Sequence, residues 1–262
     1  MRASVLQKSC TGHRGFTLIE LIVVLVILSI LAVMGAQFVV SSTQIYESTR
    51  TRALLVNSGR AALERMSRQL RGALPYSVQI TNGGSCVRFM PIAGGGIYAS
   101  PVPDMANGAA ASANINVLSH QVEFGNASWV SIGAMSSAEI YGAGPASLAP
   151  LAGRSGSSLT LGGAKQWARN SINRRFYLLD NPQAFCVVAD ELRFYANQNI
   201  ADANVNLASS YDLLAKQVSA VQPFTLSPGS ENRNSLVLME MSFVSGGEAV
   251  SFDQQVMIRN VP

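Results

Sequence analysis

Residues 16–40 form an apolar run of 25 residues that holds one charged side chain, Glu20. As a helix rising 1.5 Å per residue the run is about 37 Å long, enough to cross a hydrocarbon core of roughly 30 Å with some tilt. A carboxylate within such a segment costs roughly 2.5–3.5 kcal/mol at a helix centre, so it persists where it has a partner or a task. The chain is therefore expected to carry a membrane anchor whose one acid serves something other than insertion. Arg2, Lys8, His13 and Arg14 precede the run. Basic residues on that flank predict a cytoplasmic N-terminus, with everything after Ser41 on the far side of the membrane.

The junction before the run reads Gly15-Phe16-Thr17-Leu18-Ile19-Glu20. A secretory signal peptide has a shorter apolar core and is cut after it; here the expected cut lies before the apolar run, so the anchor stays with the mature chain. Basic leader, junction, acid and apolar run together resemble the processing site of the type IV prepilins and the type II secretion pseudopilins. The resemblance implies cleavage after Gly15 by a prepilin peptidase, methylation of the new amine on Phe16, and an assembly contact for Glu20, the fifth mature residue. It also implies partners: other major and minor pilins, an inner-membrane assembly platform and membrane lipid. An ordinary signal anchor accounts for the basic flank and the apolar run, but not for Glu20 or the Gly-Phe junction. Mature position 22, often Pro in major pilins, is Gln37 here; nearby Gly35 leaves a weak point of about 1 kcal/mol in the helix.

Helical spacing continues past the anchor. Ile45, Thr49, Ala53, Val56, Leu63, Met66 and Leu70 recur at three- and four-residue steps, which predicts a buried stripe. Arg50, Arg52, Arg60, Arg65, Arg68 and Arg71, with Glu47 and Glu64, occupy the other face, as a solvated surface or as partners for acids on adjacent subunits. Gly72 and Pro75 predict the helix end, and Arg68 and Arg71 suit its negative pole. A single helix over residues 16–71 would be about 84 Å long.

After Pro75 the period changes to that of strands. Runs at 77–80, 86–92, 115–118, 129–132, 159–161, 175–179, 185–188, 192–195, 236–243 and 250–258 are separated by turn signals such as Asn82-Gly83-Gly84, Asp180-Asn181-Pro182 and Gly246-Gly247. Strand after strand without helices predicts an antiparallel sheet. Residues 93–114 and 133–158, rich in Gly, Ala, Ser and Pro, read as surface loops, and a short helix is expected around 211–218. The fold class is then α+β: a long N-terminal membrane-spanning helix with a C-terminal antiparallel β-sheet head, the lollipop of the pilins. The expected domains are a cleaved leader (1–15), a transmembrane helix half (16–40), a periplasmic amphipathic half (41–75) and a β-rich head (76–262). Several marks narrow the resemblance to J-type minor pilins of MSHA-pilus biogenesis. They are Glu64-Arg65-Met66-Ser67-Arg68-Gln69-Leu70-Arg71 leading into Ala73-Leu74-Pro75, then Cys86-Val87-Arg88-Phe89, then Asn181-Pro182-Gln183-Ala184-Phe185-Cys186-Val187 before Leu192-Arg193-Phe194-Tyr195, and the ending Val256-Met257-Ile258-Arg259-Asn260-Val261-Pro262.

The net charge of +4 loses its meaning once the leader is set aside: Arg2, Lys8 and Arg14 go, no acid goes with them, and 16 basic residues face 15 acidic ones. No basic run with interleaved aromatics supports nucleic-acid binding. Cys10 lies in the leader with no apolar stretch before it, which argues against a lipoprotein site. Cys86 and Cys186 remain, an even number outside the cytoplasm, and that favours one disulfide over two buried thiols. Chemistry is sparse. His13 and His120 are the two histidines; Gly94-Gly95-Gly96 and Gly162-Gly163-Ala164-Lys165 lack phosphate-loop spacing; no nucleophile, redox or zinc motif occurs. No enzyme activity and no cofactor is expected. Asp190, Glu191, Asp202, Asp212 and Asp253 are scattered and leave a calcium site open. Trp129 and Trp167 read as packing residues rather than a sugar platform. The leading expectation is a structural pilin subunit. Its rivals are an anchored periplasmic receptor or adhesin, a type II secretion pseudopilin and a tethered enzyme. Glu20 argues against the tip-capping pseudopilin type, which lacks that acid.

Overall fold

The computed structural model describes residues 15–122, 126–230 and 233–259. The leader residues Arg2, Lys8, Cys10, His13 and Arg14, and the terminal Asn260-Val261-Pro262, lie outside the described residues. The chain divides into two units at Arg50/Thr51. This boundary is set by packing and falls later than the expected one at residue 40, which was set by lipid thickness.

The first unit is helical. Helix α1 (Leu18–Arg71) begins at Leu18 rather than at Phe16, because Thr17 caps it: the Thr17 hydroxyl accepts from Glu20 N–H at 3.3 Å. Between residues 15 and 50 every side chain is exposed except half-buried Ser48. The predicted stripe is thus wrong at Ile45 and Thr49, which are exposed here.

In the second unit α1 supplies one wall of the main core. Its buried residues are Leu55, Gly59, Ala62, Leu63, Met66, Ser67 and Leu70. Leu63, Met66 and Leu70 were expected. Ala53 is exposed and Val56 half-buried, because the buried face passes through Leu55 and Gly59 instead. Gly59 decides this: a Cβ there would lie 2.5 Å from Phe252 Cε2 and 3.0 Å from Phe243 Cε2, so the rings pack directly on helix backbone. The helix closes with Gly72 N–H on Gln69 O and Ala73 N–H on Leu70 O, three-residue bonds that satisfy its last carbonyls.

Strands β1 (Gln79–Thr81) and β2 (Cys86–Phe89) follow. Six further strands, β3 (Ile92–Tyr98), β4 (Ser112–Val122), β5 (Trp129–Ser131), β6 (Leu148–Arg154), β7 (Ser158–Lys165) and β8 (Arg175–Leu179), close into a barrel in the order β3-β4-β7-β6-β5-β8. Then β9 (Gln183–Val188), β10 (Glu191–Tyr195) and β11 (Asp212–Lys216) join β1 and β2 in a five-stranded sheet, β1-β2-β9-β10-β11. Finally β12 (Val218–Ser219), β13 (Phe224–Ser227), β14 (Ser235–Ser245) and β15 (Glu248–Ile258) make a second sheet; β12 and β13 pair with different parts of β14, and β15 pairs with its full length. All pairings among named strands are antiparallel, as expected, but the head is two sheets and a barrel rather than one sheet.

Two expected loops contain strands. Gly94, Gly95 and Gly96 lie in β3 because the barrel wall is tight there: a Cβ on Gly95 would stand 3.0 Å from Phe176 O. In β6 and β7, Gly162 similarly faces Pro150 Cγ at 3.0 Å. Glycine in these strands marks close approach of backbones, not a loop. The helix expected around 211–218 is instead β11 and β12. Leu192 and Arg193 of β10 hold Ala215 and Leu213 in register, and Gln217 at φ 64° breaks the strand before Val218.

The main core joins the α1 face to both sheets, through Phe89, Phe185 and Leu192 on one side and Val237, Met239, Phe243 and Val256 on the other. The barrel has its own core around Trp167, Tyr98, Ile132 and Phe176. Arg88 is 1% exposed and pins barrel to sheet. Its Nη1 donates to Asp202 O at 2.6 Å, its Nη2 to Gln79 Oε1 at 2.7 Å, and its guanidinium lies 4.0 Å from the Tyr141 ring centre. Burial pulls the Arg88 pKa down and pushes the Tyr141 phenol up.

Two predictions arise. Replacing Gly59 by a branched residue overpacks the contact with Phe252 and Phe243; Gly59→Leu should destabilise the detergent-solubilised chain by about 1–3 kcal/mol in urea unfolding. The second concerns acid. Arg169 Nη1 and Nη2 donate to Glu139 Oε2 and Oε1 at 2.7 and 2.9 Å, and Ser147 and the Met135 N–H add to the carboxylate. These bonds, the Arg169 one foremost, hold the Glu139 pKa below its ordinary 4.5. A depressed carboxylate stabilises the fold above its unfolded value and loses that contribution as pH falls through its folded value. The melting temperature of the wild type should therefore drop more steeply below about pH 4.5 than that of Glu139→Gln, read by circular dichroism across a pH series.

Candidate processing and assembly site

The sequence-predicted site residues fall in two places. Gly15 precedes the helix, and nothing lies within 4 Å of where its Cβ would be. Phe16 is 75% exposed. Thr17 then turns the chain into α1, with Leu21 N–H on Thr17 O at 3.2 Å closing the first turn. Glu20 sits at the third helical position. The order Thr17-Leu18-Ile19-Glu20 is that of a capping box, a signal already present in the junction sequence. A carboxylate in the first turn faces the positive end of the helix dipole. Among the described residues it has no ion-pair partner.

This geometry has a chemical consequence. The bond after Gly15 lies outside the helix, just ahead of the Thr17 cap, and Phe16 on its far side is exposed, so among the described residues nothing shields it from a protease. Cutting there turns the Phe16 amide into an amine, separated from Glu20 by one turn of chain. Behind them Leu18, Ile19, Leu21, Ile22 and the residues onward present apolar side chains that are exposed among the described residues. Among the described residues α1 is the one helix long and apolar enough to cross a membrane.

The second place is in the head. Cys86 on β2 and Cys186 on β9 are direct antiparallel neighbours, with Cα atoms 4.1 Å apart, and are joined by a disulfide. Val187 N–H donates to Ser85 O in the adjacent pair, so the cysteines occupy a non-hydrogen-bonded site, where side chains stand closest. Both are fully buried, with Ala184, Tyr195 and Val205 around them. The bridge joins the two strands between which the whole barrel is inserted.

The other residues weighed from sequence lie apart from these places. His120 is half-buried on β4 opposite Gly96. Trp167 is in the barrel core, and Trp129 Nε1 donates to Asn181 Oδ1 at 2.9 Å. No group of three or more His, Cys, Asp or Glu that would hold a metal occurs among the described residues. Arg65 pairs with Asp212 at 3.4 Å and Arg68 with Glu64 at 3.4 Å; both pairs are exposed.

Residues 10–36 match the family model of the prokaryotic N-terminal methylation motif. The match covers the Gly15-Phe16 junction, Glu20 and most of the apolar run. It supports a type IV prepilin-like N-terminus that a prepilin peptidase processes. No curated protein and no solved structure matches the chain.

The bridge closes a loop of 100 residues, for which the chain-entropy account gives up to about 4.7 kcal/mol. The double variant Cys86→Ala/Cys186→Ala should lose roughly 2–5 kcal/mol in urea unfolding. Alkylation of the oxidised wild type without reductant should modify neither cysteine.

Proposed function

We propose that this chain is a non-enzymatic minor pilin, a structural subunit of a type IV pilus of the MSHA kind. It resembles the MSHA-pilus biogenesis protein MshO through Glu64–Arg71, the strand at Cys86 and the segment before Cys186. It is anchored in a bacterial inner membrane with its head in the periplasm. It is cut after Gly15, methylated on Phe16, and drawn by the assembly platform into a filament with other pilins.

The observation that carries this reading is the coincidence of three features in one helix start. They are an exposed Gly15-Phe16 junction, a carboxylate one turn later, and an apolar helix stretch that is uncovered among the described residues. In lipid, the Phe16 amine and the Glu20 carboxylate are each costly alone. A subunit leaving the membrane for a filament supplies its amine to a neighbour's carboxylate, which removes both costs and fixes the axial register.

Glu20→Ala tests this directly. Insertion should persist, because the change removes a charge from an apolar segment, and leader cleavage should persist, because the junction is untouched. Recovery of the protein in sheared filaments, or with partner pilins after purification, should fall at least roughly tenfold, the effect of about 1.4 kcal/mol on a contact. Wild-type recovery would remove Glu20 from the assembly contact.

A further inference from the structure

Beside β15, the outward face of α1 forms a groove of about 730 Å³ lined by Arg60, Leu63, Glu64, Ser67, Arg68, Arg71, Phe252 and Gln254. Its floor is apolar, from Leu63 and Phe252. Its rim carries three arginines against one glutamate. Ser67 is 4% exposed, and its hydroxyl has no hydrogen-bond partner, an arrangement that costs free energy unless something bound there supplies one. The groove is open on the strand side, because β14 is the sole strand partner of β15 among the described residues.

The complementary surface is on the same chain. Strand alternation sends Val237, Met239, Met241 and Phe243 of β14 into the core, so Glu240 points to the opposite, solvent side. Glu240 and Asp253 stand directly opposite each other across β14 and β15, both exposed, with no ion-pair partner among the described residues. Like charges at a cross-strand pair destabilise a sheet, and an arriving cation relieves them. Around them lie Ser242 and Ser251, whose hydroxyls are hydrogen-bonded to each other at 2.8 Å, and exposed Gln255 and Met257.

We propose that the arginine groove of one copy docks the Glu240–Asp253 face of a second copy of this chain. The charges match in sign and nearly in number. The acidic pair is on the side of the sheet that faces away from α1, so one copy cannot satisfy itself. The contact is therefore head-to-tail, the interface type that generates open filaments rather than closed dimers. The inference rests on the pilin reading, and it names the surfaces through which heads meet. Ser67 gains a carboxylate or backbone acceptor, Arg60 and Arg71 gain counter-charges where they have no ion-pair partner among the described residues, and Arg68 gains a second acid besides Glu64.

The test uses two full-length copies with different epitope tags, co-expressed in the native membrane. One carries p-benzoylphenylalanine at Gln255, beside the acidic pair, and is irradiated. The expected product is a link between the two tagged copies that maps to residues 60–71 of the partner. Glu240→Arg/Asp253→Arg in the probe copy should cut the yield roughly tenfold, and Arg68→Glu/Arg71→Glu in the other copy should restore it. A thermal melt of each variant matching the wild type excludes misfolding, since all four side chains are exposed. Absence of the link, a link to another protein or to lipid, or a link insensitive to both reversals would overturn the proposal. Leader cleavage, measured on the same samples, separates the outcomes: cleaved protein without the link defeats this contact alone, and uncleaved protein defeats the pilin reading.

Discussion

The head depends on a face of helix that is not its own in the usual sense. Leu55, Ala62, Leu63, Met66 and Leu70 fill the space between two sheets, and without them Phe89 and Phe185 on one side and Val237, Met239 and Phe243 on the other would face water. At about 25 cal/mol per Å² of apolar surface, such a face outweighs the few tenths of a kcal/mol that surface ion pairs such as Arg68–Glu64 contribute. Gly59 sets how near the second sheet can come. The amino-terminal stretch of the same helix has the opposite character: apolar all round and exposed among the described residues. One continuous sequence thus serves two solvents: the all-round apolar run ends near residue 40, and one-sided burial against the head begins at Leu55.

The barrel is a second layer of organisation laid into the first sheet. The chain leaves that sheet after β2, builds six strands, and returns at β9 beside the strand it left. The Cys86–Cys186 bridge fastens the exit to the return. Arg88, one turn of the pleat from Cys86, fastens the barrel from below through Tyr141, which also donates its hydroxyl to Ser77 O at 2.8 Å. A buried cation is expensive, and two strong acceptors, an aromatic face and the Asp202 charge offset part of that cost, while Nε stays without a hydrogen-bond partner among the described residues. The insertion is thus tied to the sheet at two points, the bridge and Arg88.

The candidate site is a local sequence pattern, and much of the head is not. Gly15, Phe16 and Glu20 lie next to one another in the chain, so a local pattern suffices to find them, and the capping order Thr17 to Glu20 is local too. The paired cysteines were reached through compartment and parity. What escaped were features created by distant neighbours. Gly94-Gly95-Gly96 and Gly153 have loop-like composition, and their strand conformation comes from the close approach of Phe176 to Gly95, the pairing of Gly153 with Thr160 and the closed barrel around them. Residues 211–218 have helix-forming side chains, and β10 pairing overrides that preference. The helical stripe matched at Leu63, Met66 and Leu70 and missed at Ala53 and Val56, which look more apolar than Gly59. Only the rings of Phe243 and Phe252, nearly two hundred residues later, make glycine the contact.

The central claim is that the apolar helix begins its working life at Phe16 with a modified amine, as the subunit of a filament. The most direct measurement is the intact mass of the protein purified from its native host, with sequencing of its first residues. The account predicts a chain that starts at Phe16, carries a methyl group on that amine, and retains residues 16–40. A protein that keeps Met1 in a host with active prepilin peptidase, or one cut after the apolar run, would contradict it.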